Sequence, residues 1–315
     1  VAQDSQVCEA LIEALRQGKQ VTVFVEVQAR FDERSNLYWG ETLEKAGARV
    51  LYSHEGLKVH CKLCLIERQE RGKLRRYAYL GTGNFNERTS RIYSDLALLT
   101  ADPALTAEVA GVFTHLNDRR TRPANTLLML APLDLRTRLE ELIDREIEQA
   151  QRGAPAAILL KVNSLEDKAL ISKLYDASDA GVDVRLIVRG ICCLVPGVRG
   201  MSSRIEAVSI IDRYLEHARC YVFHNQGQPQ VYLSSADWME RNLDRRVEVA
   251  FPLRDPEHIR TVLHLLDLQW GDTRKARLLD RDQRNSYRKP IKGARPLRAQ
   301  EATYAFLKRQ TQDLA

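Results

Sequence analysis

A chain of 315 residues, 44% hydrophobic and 29% charged, has the composition of a globular protein and length enough for two cores. No apolar run approaches the roughly 20 residues that cross a bilayer, and six cysteines without framework spacing argue against a disulfide-stapled fold. The net charge of +6 is local: residues 271–300 hold ten Lys or Arg against three Asp or Glu, which points to a polyanionic partner.

In chain order, Asp4 is placed to cap a helix carrying Val7, Leu11, Ile12 and Leu15 that ends near Gly18. Residues 21–27 read as a central strand, with 28–33 at its carboxyl end, where ligands of α/β sheets gather. A helix over 35–46 and a short strand over 49–52 follow. Residues 59–66 and 77–80 alternate around a polar turn at Gly72 and predict a hairpin. Its period of two sets His60, Lys62 and Cys64 on one face, and it runs into Gly81-Thr82-Gly83-Asn84, a turn whose N–H groups suit an anion. Cys61 and Cys64 have metal-like spacing but read as strand residues, with no second pair beside them. A strand over 93–99, a helix over 103–116 and a linker over 121–132 with two prolines complete this half.

The order then restarts. Residues 133–151 predict a helix, 156–162 a strand, 167–180 a helix ending at Gly181, and 182–188 a strand with Arg189 at its end. After a loop over 191–200, His217-Ala218-Arg219 opens a strand to Phe223. A turn at 225–227 leads to Ser234-Ser235-Ala236-Asp237, a strand over 246–251, a helix from Asp255, the basic segment and a terminal helix. His60 and His217 lie 157 residues apart and the apolar strands before them begin 161 apart, which predicts an internal duplication. Two such histidines at one phosphate give a nucleophile and a general acid. Arg30, Lys62, Arg189, Arg219 and Arg246 offer the cations that a transferring phosphoryl group needs.

The ordered set His60-x-Lys62, Glu67 and Gly81-x-x-Asn84 resembles the phospholipase D superfamily motif, and the His217 copy departs from it in Arg219, His224 and Asp237. Gln28 to Glu33, Lys58 to Lys62, Tyr79 to Glu87, Val188-Arg189-Gly190, Asp212 to His217 and Ser234 to Met239 together resemble the polyphosphate kinase family of that superfamily. The resemblance covers essentially the whole chain but only the two carboxyl-terminal catalytic domains of the family. It implies an α/β fold of two phospholipase D-like domains, 1–125 and 126–315, with mixed sheets flanked by helices. It implies ATP:polyphosphate phosphotransfer with magnesium, His60 as the phosphohistidine and His217 as the second essential histidine. Tyr93 and Arg189 fall at nucleotide-binding positions, and Lys62, Arg246 and Asn84 join them and His217 as the ATP- and phosphate-binding set. Arg30 falls at a position associated with the metal, which a guanidinium can serve only through a phosphate or its own carbonyl.

ATP, ADP and inorganic polyphosphate are therefore the expected partners, with no nucleic acid. Homo-oligomer formation and membrane association stay open, the latter without a pattern that indicates it. The absence of a signal-peptide pattern and the free-thiol reading of the cysteines point to the cytoplasm, although Val1 in place of Met leaves room for a fragment or a processed product. Two other functions compete: a phospholipase D-like phosphodiesterase, and a truncated, non-catalytic polyanion-binding module.

Overall fold

The computed structural model describes residues 1–27, 33–53 and 56–313. Helix α1 (Gln6–Arg16) is capped by Ser5, whose Oγ accepts from Cys8 N, and not by Asp4. Strand β1 (Thr22–Val25), helix α2 (Glu33–Lys45) and strand β2 (Arg49–Tyr52) form a parallel unit. Its small core of Cys8, Trp39, Leu43 and Ala48 is separate from the rest.

After β3 (Lys58–Val59) comes the hairpin of β4 (Lys62–Glu70) and β5 (Lys73–Gly81), longer than its apolar residues suggest. Its two-residue turn holds Arg71 and Gly72 at φ 51° and 76°, the left-handed region a tight hairpin turn requires. Helix α3 (Glu87–Ser90), β6 (Tyr93–Ser94), β7 (Ala97–Thr100) and α4 (Pro103–Asn117) follow, and β7 pairs with β5. Among the described residues, this half's strands thus make a parallel pair and a separate antiparallel sheet.

The expected linker contains a strand, β8 (Met129–Ala131), which pairs with a strand of the second half and buries Leu128 to Ala131 completely. The prolines at 123 and 132 bracket this apolar run without interrupting it. Next come α5 (Leu135–Gln151), β9 (Ala157–Val162), α6 (Lys168–Ala180) and β10 (Asp183–Val188). Strands β11 (Ile205–Ile210) and, inside the basic segment, β16 were likewise not expected. Between them lie β12 (Leu215–Glu216), β13 (Arg219–Phe223), β14 (Gln230–Ser234), α7 (Glu240–Asp244), β15 (Arg246–Pro252) and α8 (Pro256–Trp270). Strand β16 (Ala276–Leu279) and α9 (Ala299–Asp313) end the chain.

A mixed sheet of nine strands, counted among the described residues, runs β16-β11-β10-β9-β13-β14-β15-β3, with β8 also on β15. Strands β9, β10 and β11 are parallel, and β13, β14 and β15 antiparallel. Alternation sorts its side chains: Tyr221 and Phe223 join α5 and α6 on one face, while Cys220 and Val222 meet α4, α8 and β5 on the other. The second face is a core shared by both halves, since Leu80, Leu105 and Val109 pack with Val222, Leu233 and Phe251. The duplicated α/β fold with helices flanking mixed strands is the fold expected.

Candidate active site

Two short parallel pairings stitch the halves together and place both histidines. β3 pairs with β15, and the N–H groups of His60 and Cys61 both donate to Val247 O at 2.9 and 3.0 Å. β12 pairs with β6, and the N–H groups of His217 and Ala218 both donate to Ser94 O at 3.1 and 2.9 Å. The residue after each accepting carbonyl is acidic, and it holds the ring of the donating histidine. His60 Nδ1 lies 2.9 Å from Glu248 Oε2, and His217 Nδ1 lies 2.8 and 2.9 Å from the Asp95 carboxylate. Each histidine is thus oriented by the other half of the chain.

The carboxylates are held in turn. Thr82 Oγ1 donates to Asp95 at 2.6 Å and Ser235 Oγ to Glu248 at 2.5 Å, while Asn242 Nδ2 donates to Glu248 Oε1 at 2.7 Å. Thr82 and Ser235, Asn84 and Asp237, and Asp95 and Glu248 share one spacing of 153 residues. Gly83 is where Asp95 comes close, because a Cβ there would sit 2.4 Å from its carboxylate oxygen. Thr82 N is spent on Leu96 O. The small-residue turn therefore serves the carboxylate behind His217, where N–H groups open to an anion had been expected.

The two halves differ at the cation. Lys62 Nζ donates to the carbonyl of His60, and none of the described residues hydrogen-bonds His60 Nε2. Arg219 donates to His217 O at 2.9 Å and to His217 Nε2 at 3.1 Å, while its other edge grips Asp237 at 3.2 and 3.0 Å. A guanidinium only donates, so His217 Nε2 is an occupied acceptor and Nδ1–H faces Asp95. His60 presents the same tautomer to Glu248 with its Nε2 lone pair open, on a ring that is 21% exposed.

Burial dominates the protonation of this group. It lowers both imidazoles against the pull of Glu248 and Asp95, taking His60 to about 4. Burial would raise Glu248, but the facing His60 and Lys62 and the Ser235 hydrogen bond together hold it below the usual carboxylate range. Asp95 is likewise held low, with burial outweighed by His217 and Thr82. Burial brings the Lys62 ammonium down to about 8, and Glu248 offsets only part of that.

The other expected residues divide. Tyr93, beside β12, sets its ring centroid 4.9 Å from that of His217. Arg189 donates Nε to Asn163 Oδ1 and Glu216 O, which leaves its terminal nitrogens unengaged among the described residues. Arg246 opens β15 with its guanidinium 4.0 Å from Glu248. Asn84 is exposed on the turn after β5. Arg30 lies outside the described residues. Glu67 is not at the site: five strand residues carry it about 17 Å past Lys62, where it pairs with Arg76 at 2.6 Å. The basic segment is engaged with the protein at several points. Arg277 stacks on Tyr287, Arg288 on Trp270, Lys275 stands 4.0 Å from Asp212, and Arg274 is exposed.

The family model for polyphosphate kinase C-terminal domain 1 matches residues 1–122, and that for C-terminal domain 2 matches residues 128–300. The chain belongs to the polyphosphate kinase family. It is 50% identical over 308 residues to the polyphosphate kinase of Escherichia coli (strain K12), which covers 98% of this chain and 45% of that relative. The polyphosphate kinase of Vibrio vulnificus (strain YJ016) is 50% identical over 309 residues, with 98% and 44% covered. The crystal structure of polyphosphate kinase from Porphyromonas gingivalis superposes with a TM-score of 0.91 at 43% identity, over 99% of this chain and 48% of that one. The chain therefore spans about half the length of the polyphosphate kinases it matches.

Sequence reasoning missed Asp95 and Glu248, and it missed the grip on the His217 strand. There the successive carbonyls of Glu216, His217 and Ala218 accept from Arg189, Asn163 and Lys161. The shared spacing of 153 residues was the available signal for the two acids. The described residues hold no group of three His, Cys, Asp or Glu that could bind a metal, and Asp95, Glu248 and Asp237 are all committed. They do not form a protein-only magnesium cage, and that ion commonly binds through substrate phosphates. Among the described residues, no helix is long and apolar enough to cross a membrane.

Proposed function

We propose that this chain carries the phosphoryl-transfer centre of a polyphosphate kinase, built on the seam between a first domain, 1–125, and a second, 126–315. ATP and polyphosphate are the substrates, and His60 carries the phosphate between them. The observation that carries this reading is the unequal pair of histidines: His60 Nε2 is open, whereas His217 Nε2 accepts from Arg219.

The His60 Nε2 lone pair attacks the terminal phosphorus of ATP. The N–P bond forms as the bridging P–O bond breaks, and ADP leaves with that electron pair. Glu248 stabilises the imidazolium character that develops, while Nδ1 keeps its proton. Lys62 and Arg246 lie beside the nucleophile as counter-charges to the transferring oxygens, and Arg189 and Tyr93 are placed on the His217 side for the nucleotide. A terminal oxygen of polyphosphate then attacks the phosphorus, the N–P bond breaks, and His60 recovers its lone pair. His217, released from Arg219, is positioned to hydrogen-bond the leaving or entering oxygen. The cytoplasm is the compartment this reading takes, and magnesium would enter on the nucleotide's phosphates, where it would offset their charge.

The protein incubated with ATP labelled in the terminal phosphate should acquire one acid-labile, alkali-stable phosphate on His60. Polyphosphate or ADP should discharge it, and His60→Gln should abolish it. Label on another residue, or turnover that survives in His60→Gln, overturns the assignment.

The depressed Lys62 supplies a pH prediction. A lysine with its folded value brought down to about 8 is charged below that pH and neutral above it. kcat/KM for ATP should therefore decline through pH 8, because the counter-charge is lost. His60, lowered to about 4, stays neutral throughout this range. Lys62→Arg keeps its charge, so its alkaline limb should move upward whatever its absolute rate. A limb unmoved in Lys62→Arg would mean that another group titrates there.

A further inference from the structure

The β4–β5 hairpin outruns the sheet it belongs to. β7 covers only Ala78 to Gly81 of β5, so residues 67–76 project as a two-stranded arm. They contain Arg68, Arg71, Lys73, Arg75 and Arg76 against Glu67 and Glu70. Glu67 takes Arg76 at 2.6 Å, and Glu70 takes Arg68 at 2.9 Å together with the Tyr77 hydroxyl at 2.9 Å, with Arg75 only at 4.0 Å. Arg71 and Lys73, at the tip, have no carboxylate partner among the described residues. Beneath the arm lies a hollow of about 700 Å³, lined by Arg71, Lys73, Arg75 and Arg76 and closed by Pro103 and Thr106 at the start of α4. Its lining residues include four cationic ones against the single carboxylate of Glu70, and strand alternation sets Lys73 and Arg75 on one face of the arm and Arg76 on the other.

Such a surface suits a chain of phosphates. Residues 67–76 hold no aromatic ring, and Tyr77 at the arm's base has its hydroxyl on Glu70; single-stranded nucleic acids rely on successive aromatic platforms for their bases, so the arm favours a base-free polyanion. The arm also continues the strand that starts at Lys62. Eight strand residues at about 3.4 Å each set its tip about 27 Å from that lysine.

We propose that the β4–β5 arm and the hollow beneath it hold the distal part of an inorganic polyphosphate chain whose terminal phosphate is at His60. This rests on the polyphosphate kinase reading of that centre. A second attachment on one chain raises the local concentration of its reacting end, so the arm selects for length. Short chains reach the centre alone, while long chains engage both places.

The test compares the protein with the Arg71→Gln/Lys73→Gln/Arg75→Gln variant, whose altered side chains are exposed at the arm. With long-chain polyphosphate as phosphate donor to ADP, the variant's KM should rise at least about tenfold with kcat unchanged. The slope of log affinity against log salt should flatten by about 2, at roughly 0.7 per lost contact for a single-stranded polyanion. KM for tripolyphosphate and for ADP should stay as in the parent. Direct titration of long-chain polyphosphate without nucleotide, in a His60→Gln background, separates docking from chemistry. If affinity and salt slope are the same with and without the arm substitutions, the arm proposal is overturned, whatever the turnover. If neither protein turns over while the titration still distinguishes them, the kinase reading and the seat at His60 fail, and polyphosphate binding at the arm stands. A single-stranded DNA oligonucleotide that displaces polyphosphate at equal phosphate concentration overturns the choice of partner.

Discussion

Glu248→Gln is expected to lower phosphohistidine formation by on the order of 10⁴-fold, the scale reached when a catalytic histidine is forced into the wrong tautomer. The neighbours decide which way the new amide lies. Asn242 Nδ2 donates to Glu248 Oε1 at 2.7 Å and Ser235 Oγ to Oε2 at 2.5 Å; an amide nitrogen only donates whereas a hydroxyl can turn to accept, so with Asn242 in place the amide oxygen takes the Oε1 side. The NH2 then takes the place of Oε2 and donates to His60 Nδ1. The ring proton moves to Nε2, and the open lone pair, the nucleophile of the proposed mechanism, is gone. Single-turnover label transfer from ATP measures this directly, and nucleotide affinity should change little because Glu248 is fully buried. A loss of less than tenfold would show that the Glu248 pairing does not set the nucleophile.

The largest loss of stability is expected from Arg219→Met. Arg219 and Asp237 are both buried and joined through two guanidinium nitrogens. Removing the cation alone leaves a carboxylate in the interior, which costs about 3–5 kcal/mol. Asp237 also accepts from the backbone N–H of Asn163 and Ser164 at 2.7 and 3.2 Å. Arg219→Met/Asp237→Asn keeps an acceptor for those groups without the charge, so it should regain most of the loss. Denaturant unfolding of the single and double variants measures the difference. A single variant within about 1 kcal/mol of the parent would mean that water reaches Asp237.

Much of the site was legible because strand periodicity and repetition are local signals. The alternation around Val59 and Val222 marked the strands, and two landmarks with similar spacing exposed the duplication. The acids were not legible for a physical reason. Asp95 and Glu248 each serve a histidine more than a hundred residues away, and nothing near either histidine in the chain announces them. Glu67, which is close in the motif, was carried off by the rise of the strand. β8 was hidden by its bracketing prolines and β16 by the basic residues around it, because both pair through backbone groups that residue type scarcely reports. Trp270 and Tyr287 carry the guanidinium groups of Arg288 and Arg277, contacts that charge counting does not report.

The reciprocal reach of His60 to Glu248 and His217 to Asp95 is the contact rule of an isologous dimer, in which residue i meets j and j meets i. Here the rule is written inside one polypeptide. A half-length ancestor could have oriented neither imidazole as a monomer, so assembly would have preceded catalysis and depended on concentration. Fusion makes the partner permanently present and, more consequentially, frees the copies from being identical. Lys62 and Arg219 are where that freedom was used: a point charge on one side leaves the Nε2 of His60 open, and a planar fork on the other occupies that of His217.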